Sequence, residues 1–154
     1  MKKITPFLWF DEPIEIVIKY YRSIFKDAKV VKVRRANKTV KTAILRLHGQ
    51  DLMLLNGGPH FKFTPAVSFF VNCRTQAEVD DLWRKLSKDG HESRCGWLQD
   101  KYGLSWQIIP DVLMKYLADK NPTRAERVWQ AMLKMSKIDI RALKEAYLGG
   151  TLKR

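Results

Sequence analysis

The residues whose chemistry could serve a metal site or a nucleophilic reaction are few and scattered along the chain. Its three histidines, His48, His60 and His91, fall in predicted turns or linkers, without the pairing that brings metal ligands together. Cys73 and Cys95 form no C-x-x-C pair and are too few for a disulfide framework. Cys95 is predicted to lie on a strand, where its sequence neighbours point away from it, so no adjacent cation would activate the thiol. We therefore expect no metal and no cofactor, and we interpret both cysteines as reduced packing residues.

A second set of residues combines large aromatic rings with amide and hydroxyl groups, which is the usual composition of a small-molecule pocket. On the predicted inner face of the strands and their linkers, this set comprises Trp9, Asn56, Phe61, Phe63, Ser68, Phe70, Trp97, Trp106 and Gln107. Strand alternation alone does not say which face is exposed to solvent. The same residues could therefore line a ligand pocket or fill a core, and the sequence leaves both interpretations open.

These residues lie on a pattern of strands and helices that occurs twice. When the sequence is shifted by 62 positions, Val17 falls on Val79 and Ile24 on Leu86, so the two predicted helices bury equivalent apolar positions. A repeat of this kind is one supersecondary unit used twice. The second unit is expected to be one strand short, because only two residues separate His91 from the next hairpin.

The predicted fold class is α+β, with two βαβββ-type units that form a curved mixed sheet. The paired units occupy residues 1–110, at about 1–58 and 64–110, and a C-terminal helical extension occupies 111–154. Helix starts are predicted from the capping residues Asp11, Thr75, Thr123 and Asp139.

Positive charge dominates the composition. The chain has 29 Lys and Arg against 16 Asp and Glu, a formal net charge of +13. From Lys19 to His48 the only acidic residue is Asp27. Such a field favours anions and nucleic acid. However, basic and apolar residues alternate between Lys29 and Arg34, which is also typical of the exposed face of a sheet.

Membrane and export signals are not evident in the sequence. No apolar run approaches the ~20 residues that span a bilayer. Asp11 and Glu12 interrupt the apolar stretch that follows the basic N-terminus, which argues against a signal peptide. We expect a cytoplasmic protein.

Three motifs connect the chain to a known family. The segments 55–59 (LNGGP), 95–110 (CGWLQDKYGLSWQIIP) and 132–140 (MLKMSKIDI), together with the duplicated strand order, resemble the PhnB-like branch of the vicinal oxygen chelate superfamily. This superfamily includes glyoxalase I, bleomycin-resistance proteins and extradiol dioxygenases. The branch is often labelled 3-demethylubiquinone 3-methyltransferase, but the paired glycines Gly57-Gly58 and Gly149-Gly150 do not resemble the glycine-rich loop of such enzymes.

The resemblance implies a homodimeric glyoxalase-like protein that binds an unknown small molecule, or catalyses without a metal, in an aromatic and amide-lined pocket. Active members bind a divalent metal through His, Glu or Gln on inner strands, where this sequence offers Thr5, Asn56, Ser68 and Gln107. These are poor ligands for zinc or iron. The alternatives are a nucleic-acid or polyanion-binding protein that uses the basic region 19–46, and a divalent-metal lyase or dioxygenase. Whether the protein is an enzyme stays open.

Overall fold

The computed structural model describes residues 3–150, which contain two four-stranded sheets and five helices. The chain divides into two compact units, one ending at Lys62 and the other beginning at Phe63. The predicted α+β class, with two βαβββ units and a C-terminal helical region, is confirmed.

The first unit contains four strands and one helix. In chain order these are β1 (Phe7–Phe10), α1 (Ile14–Ile24), β2 (Lys29–Ala36), β3 (Thr39–Leu47) and β4 (Gln50–Asn56). The strand order in the sheet is β1-β4-β3-β2, with β1 parallel to β4 and the other pairs antiparallel.

One face of this sheet is covered by α1. The helix buries apolar side chains at helical spacing, including Val17, Tyr21 and Ile24, as its periodicity predicts. The strands present buried residues such as Leu45 and Leu54 to the same core. The opposite face of the sheet is therefore left for other contacts.

The second unit repeats the arrangement with shorter strands. It contains β5 (Ser68–Cys73), α2 (Gln76–Ser87), β6 (His91–Glu92), β7 (Trp97–Gln99) and β8 (Ser105–Pro110), in the sheet order β5-β8-β7-β6. The expectation of a missing strand was wrong, because β6 is present with two residues and pairs with β7. A strand this short has too few residues to show an alternation pattern.

The 62-residue shift holds for the first half of each unit only. It places α1 over residues 76–86, and α2 spans Gln76–Ser87. Beyond the helices the correspondence ends, because the strands and turns of the second unit are shorter than those of the first.

Three helices follow the second sheet and belong to the second compact unit. They are α3 (Asp111–Leu117), α4 (Pro122–Leu133) and α5 (Ile140–Leu148). Their shared core is made of Ile109, Leu113, Val128, Met132, Ile138 and Leu143. The Gln76 side chain joins the α4–α5 connection to the start of α2: its amide donates to the Ile138 carbonyl at 3.0 Å and its oxygen accepts from Ile140 N–H at 2.8 Å.

The predicted helix caps have mixed outcomes. Thr75 and Asp139 accept hydrogen bonds from the first turns of α2 and α5, as expected for N-caps. The prediction for Thr123 was wrong, because Asn121 caps α4 and Pro122 occupies its first turn. Asp11 is also not a cap, since α1 begins after Pro13 without a side-chain cap.

Candidate functional site

The sheet face of the first unit that α1 does not cover is the candidate functional site, and we call it the first open face. Its members are identified by strand register, since residues directly opposite each other share a face. One row across the sheet joins Arg34, Thr42, Leu55 and Trp9, and the next joins Lys32, Ile44, Met53 and Phe7. A third row joins Lys29, Arg46 and Asp51.

The pairing of β2 with β3 contains two irregularities, and the first decides which charges reach this face. The register shifts between Val30 and Lys32, and again between Arg34 and Arg35. Because of the first shift, Val30 pairs with the buried Leu45, whereas Lys32 pairs across the open face. Arg34 and Arg35 lie on opposite faces because they are neighbours in one strand; at the second shift Arg35 pairs with the buried Val40, and it reaches Glu15 of α1 at 3.4 Å.

A cleft of about 460 Å³ lies on the first open face. Its lining comprises Val31, Lys32, Arg34, Thr42, Ala43, Ile44, Arg46, Asp51 and Met53. This volume is within the range of about 300–1,000 Å³ that is usual for small-molecule sites. The lining combines three cations and one carboxylate with aliphatic and thioether side chains, so it can bind polar and apolar groups together.

One cation of the cleft is held in a fixed orientation. The Arg46 guanidinium binds Asp51 through two contacts, Nε to Oδ1 at 2.6 Å and the second nitrogen to Oδ2 at 3.1 Å. The hydrogen bond and the charge of Asp51 raise the pKa of Arg46. Asp51 is buried at 4% exposure. A two-point pair of this kind fixes the plane of the guanidinium and leaves its remaining N–H groups for another acceptor.

The aromatic residues at the β1 edge form a compact corner. The Trp9 indole N–H donates to the Gly58 carbonyl at 2.8 Å, and the Phe61 ring meets the indole edge-on with ring centres 5.0 Å apart. A Cβ on Gly57 would lie 2.1 Å from the indole, so only glycine allows this approach of the backbone. The 55–59 motif therefore holds Trp9 in place.

The second unit also has a sheet face that α2 does not cover, which we call the second open face; at its Ile109 end this face packs against the C-terminal helices. Phe70, Gln107 and Trp97 lie side by side across β5, β8 and β7. The Gln107 amide donates to the Ser68 hydroxyl at 2.9 Å. Phe70 is 49% exposed, so an aromatic ring and an amide are available together on this face.

Two residues predicted to line the pocket lie on helix-covered faces instead. Trp106 is in register with the buried Leu98, is only 3% exposed, and its indole N–H donates to Asp100 at 2.9 Å. Asn56 is in register with the buried Phe10 and so belongs to the face of α1. The physical reason is strand alternation: Trp106 precedes Gln107 in β8, and neighbouring strand residues point to opposite faces.

The remaining members of the predicted set divide between the two units. Trp9 and Phe61 belong to the first unit. Phe63, half-buried before β5, belongs to the second together with Ser68, Phe70, Trp97 and Gln107. Within each unit, the structure thus brings part of the set together, and their role in binding a ligand stays a prediction.

Sequence reasoning missed the residues that line the cleft. Lys32, Arg34 and Arg46 were assigned to one basic region from 19 to 46, with no indication that a subset converges. The available signal was the alternation of basic and apolar residues in β2. Without the register shifts, that signal does not say which basic residues share a face.

The donor chemistry does not fit the divalent metal of the superfamily. The expected ligand positions supply only hydroxyl and amide groups, from Thr5, Asn56, Ser68 and Gln107. Ser68 and Gln107 are also hydrogen-bonded to each other. Within residues 3–150, no three His, Cys, Asp or Glu side chains are grouped so that they could hold a metal ion.

The cysteines are placed as packing residues. Cys73 is buried, and this burial raises the pKa of its thiol to about 12. Cys95 is in a turn with a positive φ of 56°, which corrects its predicted place on a strand. Its thiol donates to the Met132 carbonyl at 3.7 Å, beside the core of the helical extension.

Comparison with known proteins identifies the family. The model of the family described as 3-demethylubiquinone-9 3-methyltransferase matches residues 2–109. A solved structure described as a putative 3-demethylubiquinone-9 3-methyltransferase, PhnB protein, from Bacillus cereus is 35% identical, with a TM-score of 0.63. The match covers 69% of this chain and 97% of that one. The chain belongs to the PhnB-like family of the vicinal oxygen chelate superfamily.

More distant neighbours share the fold alone. Protein PA1353 from Pseudomonas aeruginosa is 17% identical with a TM-score of 0.56, over 69% of this chain and 95% of that one. Another neighbour is a mutant of the fosfomycin resistance protein FosX from Listeria monocytogenes, solved with Mn(II) and 1S,2S-dihydroxypropylphosphonic acid. It is 13% identical with a TM-score of 0.53, and the match covers 69% of this chain and 90% of that one. No curated protein sequence matches the chain.

These findings support the glyoxalase-like assignment and give no support to the nucleic-acid alternative. The basic region is also not one stripe, since Arg34 and Arg35 lie on opposite faces of β2. None of the helices in residues 3–150 reaches the length and hydrophobicity that crossing a bilayer requires. The family label of a methyltransferase finds no matching loop, because Gly57-Gly58 leads into a linker and Gly149-Gly150 ends α5.

Proposed function

We propose that this PhnB-like protein binds a small organic molecule in the cleft of its first open face. The observation that carries this proposal is the cleft itself: about 460 Å³, with the cations Lys32, Arg34 and Arg46 beside Ile44 and Met53. Pockets for small ligands combine apolar contact area with a few polar groups that set orientation. The sheet supplies the apolar floor, and β2 supplies most of the charge.

The second open face is proposed as a further binding surface. Phe70 and Trp97 offer ring area, and the Gln107–Ser68 pair offers an amide and a hydroxyl whose orientation is already set by their hydrogen bond. The proposal is binding; it assigns no catalytic residue.

The test compares two matched substitutions in a thermal-shift screen of small organic compounds. Ile44→Trp fills the cleft, whereas Ile16→Trp adds the same volume on an exposed position of α1. We expect compounds that stabilise the parent protein and Ile16→Trp to lose their effect on Ile44→Trp. A screen without stabilising compounds, or one in which Ile44→Trp retains them all, contradicts the proposal.

A homodimer in the cytoplasm is proposed together with this function. Support comes from β2, an edge strand of its sheet, in which all eight residues are exposed and which carries the apolar Val30, Val31 and Val33. Exposed apolar edge strands favour pairing with another chain. Light scattering after size exclusion should give twice the 18.0 kDa chain mass, and a monomer mass would reject the dimer.

A further inference from the structure

We propose that the cleft of the first open face selects small organic anions that carry an apolar group. This inference rests on the proposed function, because it names the class of ligand that the same cleft takes. It is carried by the arrangement of Lys32, Arg34 and Arg46 around Ile44 and Met53.

Two cations of the cleft have no partner among the residues that the structure describes. Within residues 3–150, Lys32 and Arg34 have no ion pair or side-chain hydrogen bond. Arg35, the next residue in β2, is paired with Glu15. On the helix-covered side of β2, Arg35 is thus paired with a carboxylate. On the cleft side, Lys32 and Arg34 are available to bind an anion.

The side chains that line the cleft carry a net positive charge. Lys32, Arg34 and Arg46 contribute three positive charges to the cleft lining, and Asp51 contributes one negative charge. The Asp51 carboxylate is already occupied by Arg46. The cleft keeps an excess of two positive charges, so an anion is favoured and a cation is repelled.

The charged and apolar side chains of the cleft follow a fixed order across the strands of the sheet. Lys32 lies on β2, Ile44 on β3 and Met53 on β4, directly opposite one another. Since neighbouring strands are about 4.8 Å apart, two spacings place the methionine roughly 10 Å from the lysine backbone. A ligand whose anionic end meets β2 would therefore lay its apolar part over Ile44 and Met53.

The apolar floor of the cleft and the grouping of its cations distinguish this class of ligand from two other kinds of anion. Inorganic anions use the charges but leave the apolar floor exposed. A nucleic acid needs a continuous track of cations, whereas Lys32, Arg34 and Arg46 occupy one cleft. A carboxylate or phosphate joined to a ring or short alkyl chain uses both parts.

The test uses three probes of matched shape, measured by titration calorimetry or ligand-observed NMR. They are 4-phenylbutyrate, its uncharged amide 4-phenylbutanamide, and butyrate, which has the charge without the ring. We expect 4-phenylbutyrate to bind at least tenfold more tightly than either of the others, a difference of about 1.4 kcal/mol. Its affinity should fall as salt concentration rises.

The matched variants are Arg34→Gln and Arg35→Gln, which remove the same charge from adjacent residues on opposite faces of β2. We expect Arg34→Gln to weaken 4-phenylbutyrate about tenfold without changing the amide, and Arg35→Gln to change neither by more than about twofold. Lys32→Gln is the second cleft variant, for use if Arg34→Gln lowers the unfolding temperature.

The outcomes separate the two proposals. Equal binding of 4-phenylbutyrate and its amide, with both lost in Ile44→Trp, would overturn the anion selection and keep the ligand site. Equal weakening by Arg34→Gln and Arg35→Gln would assign the effect to the overall charge, which also overturns it. If none of the three probes binds, the anion inference fails; if the compound screen with Ile44→Trp is also negative, the proposed function fails. Tight binding of a single-stranded oligonucleotide without binding of 4-phenylbutyrate would replace the proposal by a polyanion site.

Discussion

The buried Asp100 is predicted to hold Trp106 as a structural residue, which separates this tryptophan from any ligand site. Asp100 is 2% exposed and its carboxylate accepts three N–H groups. One oxygen accepts from the backbone of Tyr102 at 2.9 Å and of Leu104 at 3.2 Å. The other accepts from the Trp106 indole at 2.9 Å. The loop between β7 and β8 is thus closed around one carboxylate.

The magnitude follows from what Asp100→Asn leaves unpaired. Asparagine keeps one acceptor oxygen for the two backbone donors, but its NH₂ group then faces the indole N–H. A buried donor without an acceptor costs about 1–3 kcal/mol, so we expect a loss of about 2 kcal/mol in the free energy of unfolding. In a Trp106→Phe background the indole donor is absent. We therefore expect Asp100→Asn to lower the free energy of unfolding by at least about 1 kcal/mol less in that background. This difference is roughly the contribution of one hydrogen bond to a charged group.

Urea unfolding followed by circular dichroism measures all four members of this double-mutant cycle without relying on the altered tryptophan. Independent sites show a coupling energy below about 0.5 kcal/mol. A coupling energy that small between Asp100→Asn and Trp106→Phe would refute the structural role of the Asp100–Trp106 contact. The binding of 4-phenylbutyrate to Trp106→Phe gives the second readout. Unchanged affinity is expected, since Trp106 is on the helix-covered face.

Two further predictions concern packing and pH. Gly57→Ala places a methyl group 2.1 Å from the Trp9 indole, so we expect a loss of about 1–3 kcal/mol and a shift in Trp9 fluorescence; unchanged values in both would contradict the close approach. Asp80 binds Lys137 at 2.6 Å and is hydrogen-bonded to Gln76, and these contacts lower the pKa of the Asp80 carboxyl below its ordinary value of 3.8. Its stabilisation is therefore present above pH 4 and lost as the pH falls through the lowered pKa. Asp80→Asn should cost no more than about 1 kcal/mol at pH 7, because the pair is exposed, and the difference from the parent should vanish at low pH. A difference that persists or grows in acid would contradict this assignment.

The strongly periodic elements could be predicted from sequence, because their burial pattern is local. Val17 and Ile24 indicate α1, and the same spacing at Val79 and Leu86 indicates α2. The two-residue β6 could not be predicted, because it is defined by pairing with β7 and has no pattern of its own. Short strands depend on partners distant in sequence, and these contacts become visible only in the folded chain.

The candidate site was only partly predictable for a related reason. Composition indicated a set of aromatic and amide groups on sheet faces, and Phe70, Trp97 and Gln107 lie side by side across three strands, while their role in binding stays a prediction. It could not separate Trp106 from Gln107, because adjacent aromatic and polar residues in β8 both suit a pocket. Only the buried Asp100 reveals which of them faces the helix.

Register irregularities decide the chemistry of the first open face, and this is the step that residue types cannot supply. Strict alternation from Val30 would send Lys32 to the face of α1, away from the cleft. The extra residue at Val31 returns Lys32 to the open face, and ordinary alternation then places Arg34 on the same face and Arg35 on the opposite one, where it reaches Glu15. The bulged β2 strand therefore keeps its apolar contacts with the core side and still gathers cations over Ile44 and Met53, which is the arrangement that an amphiphilic anion would recognise.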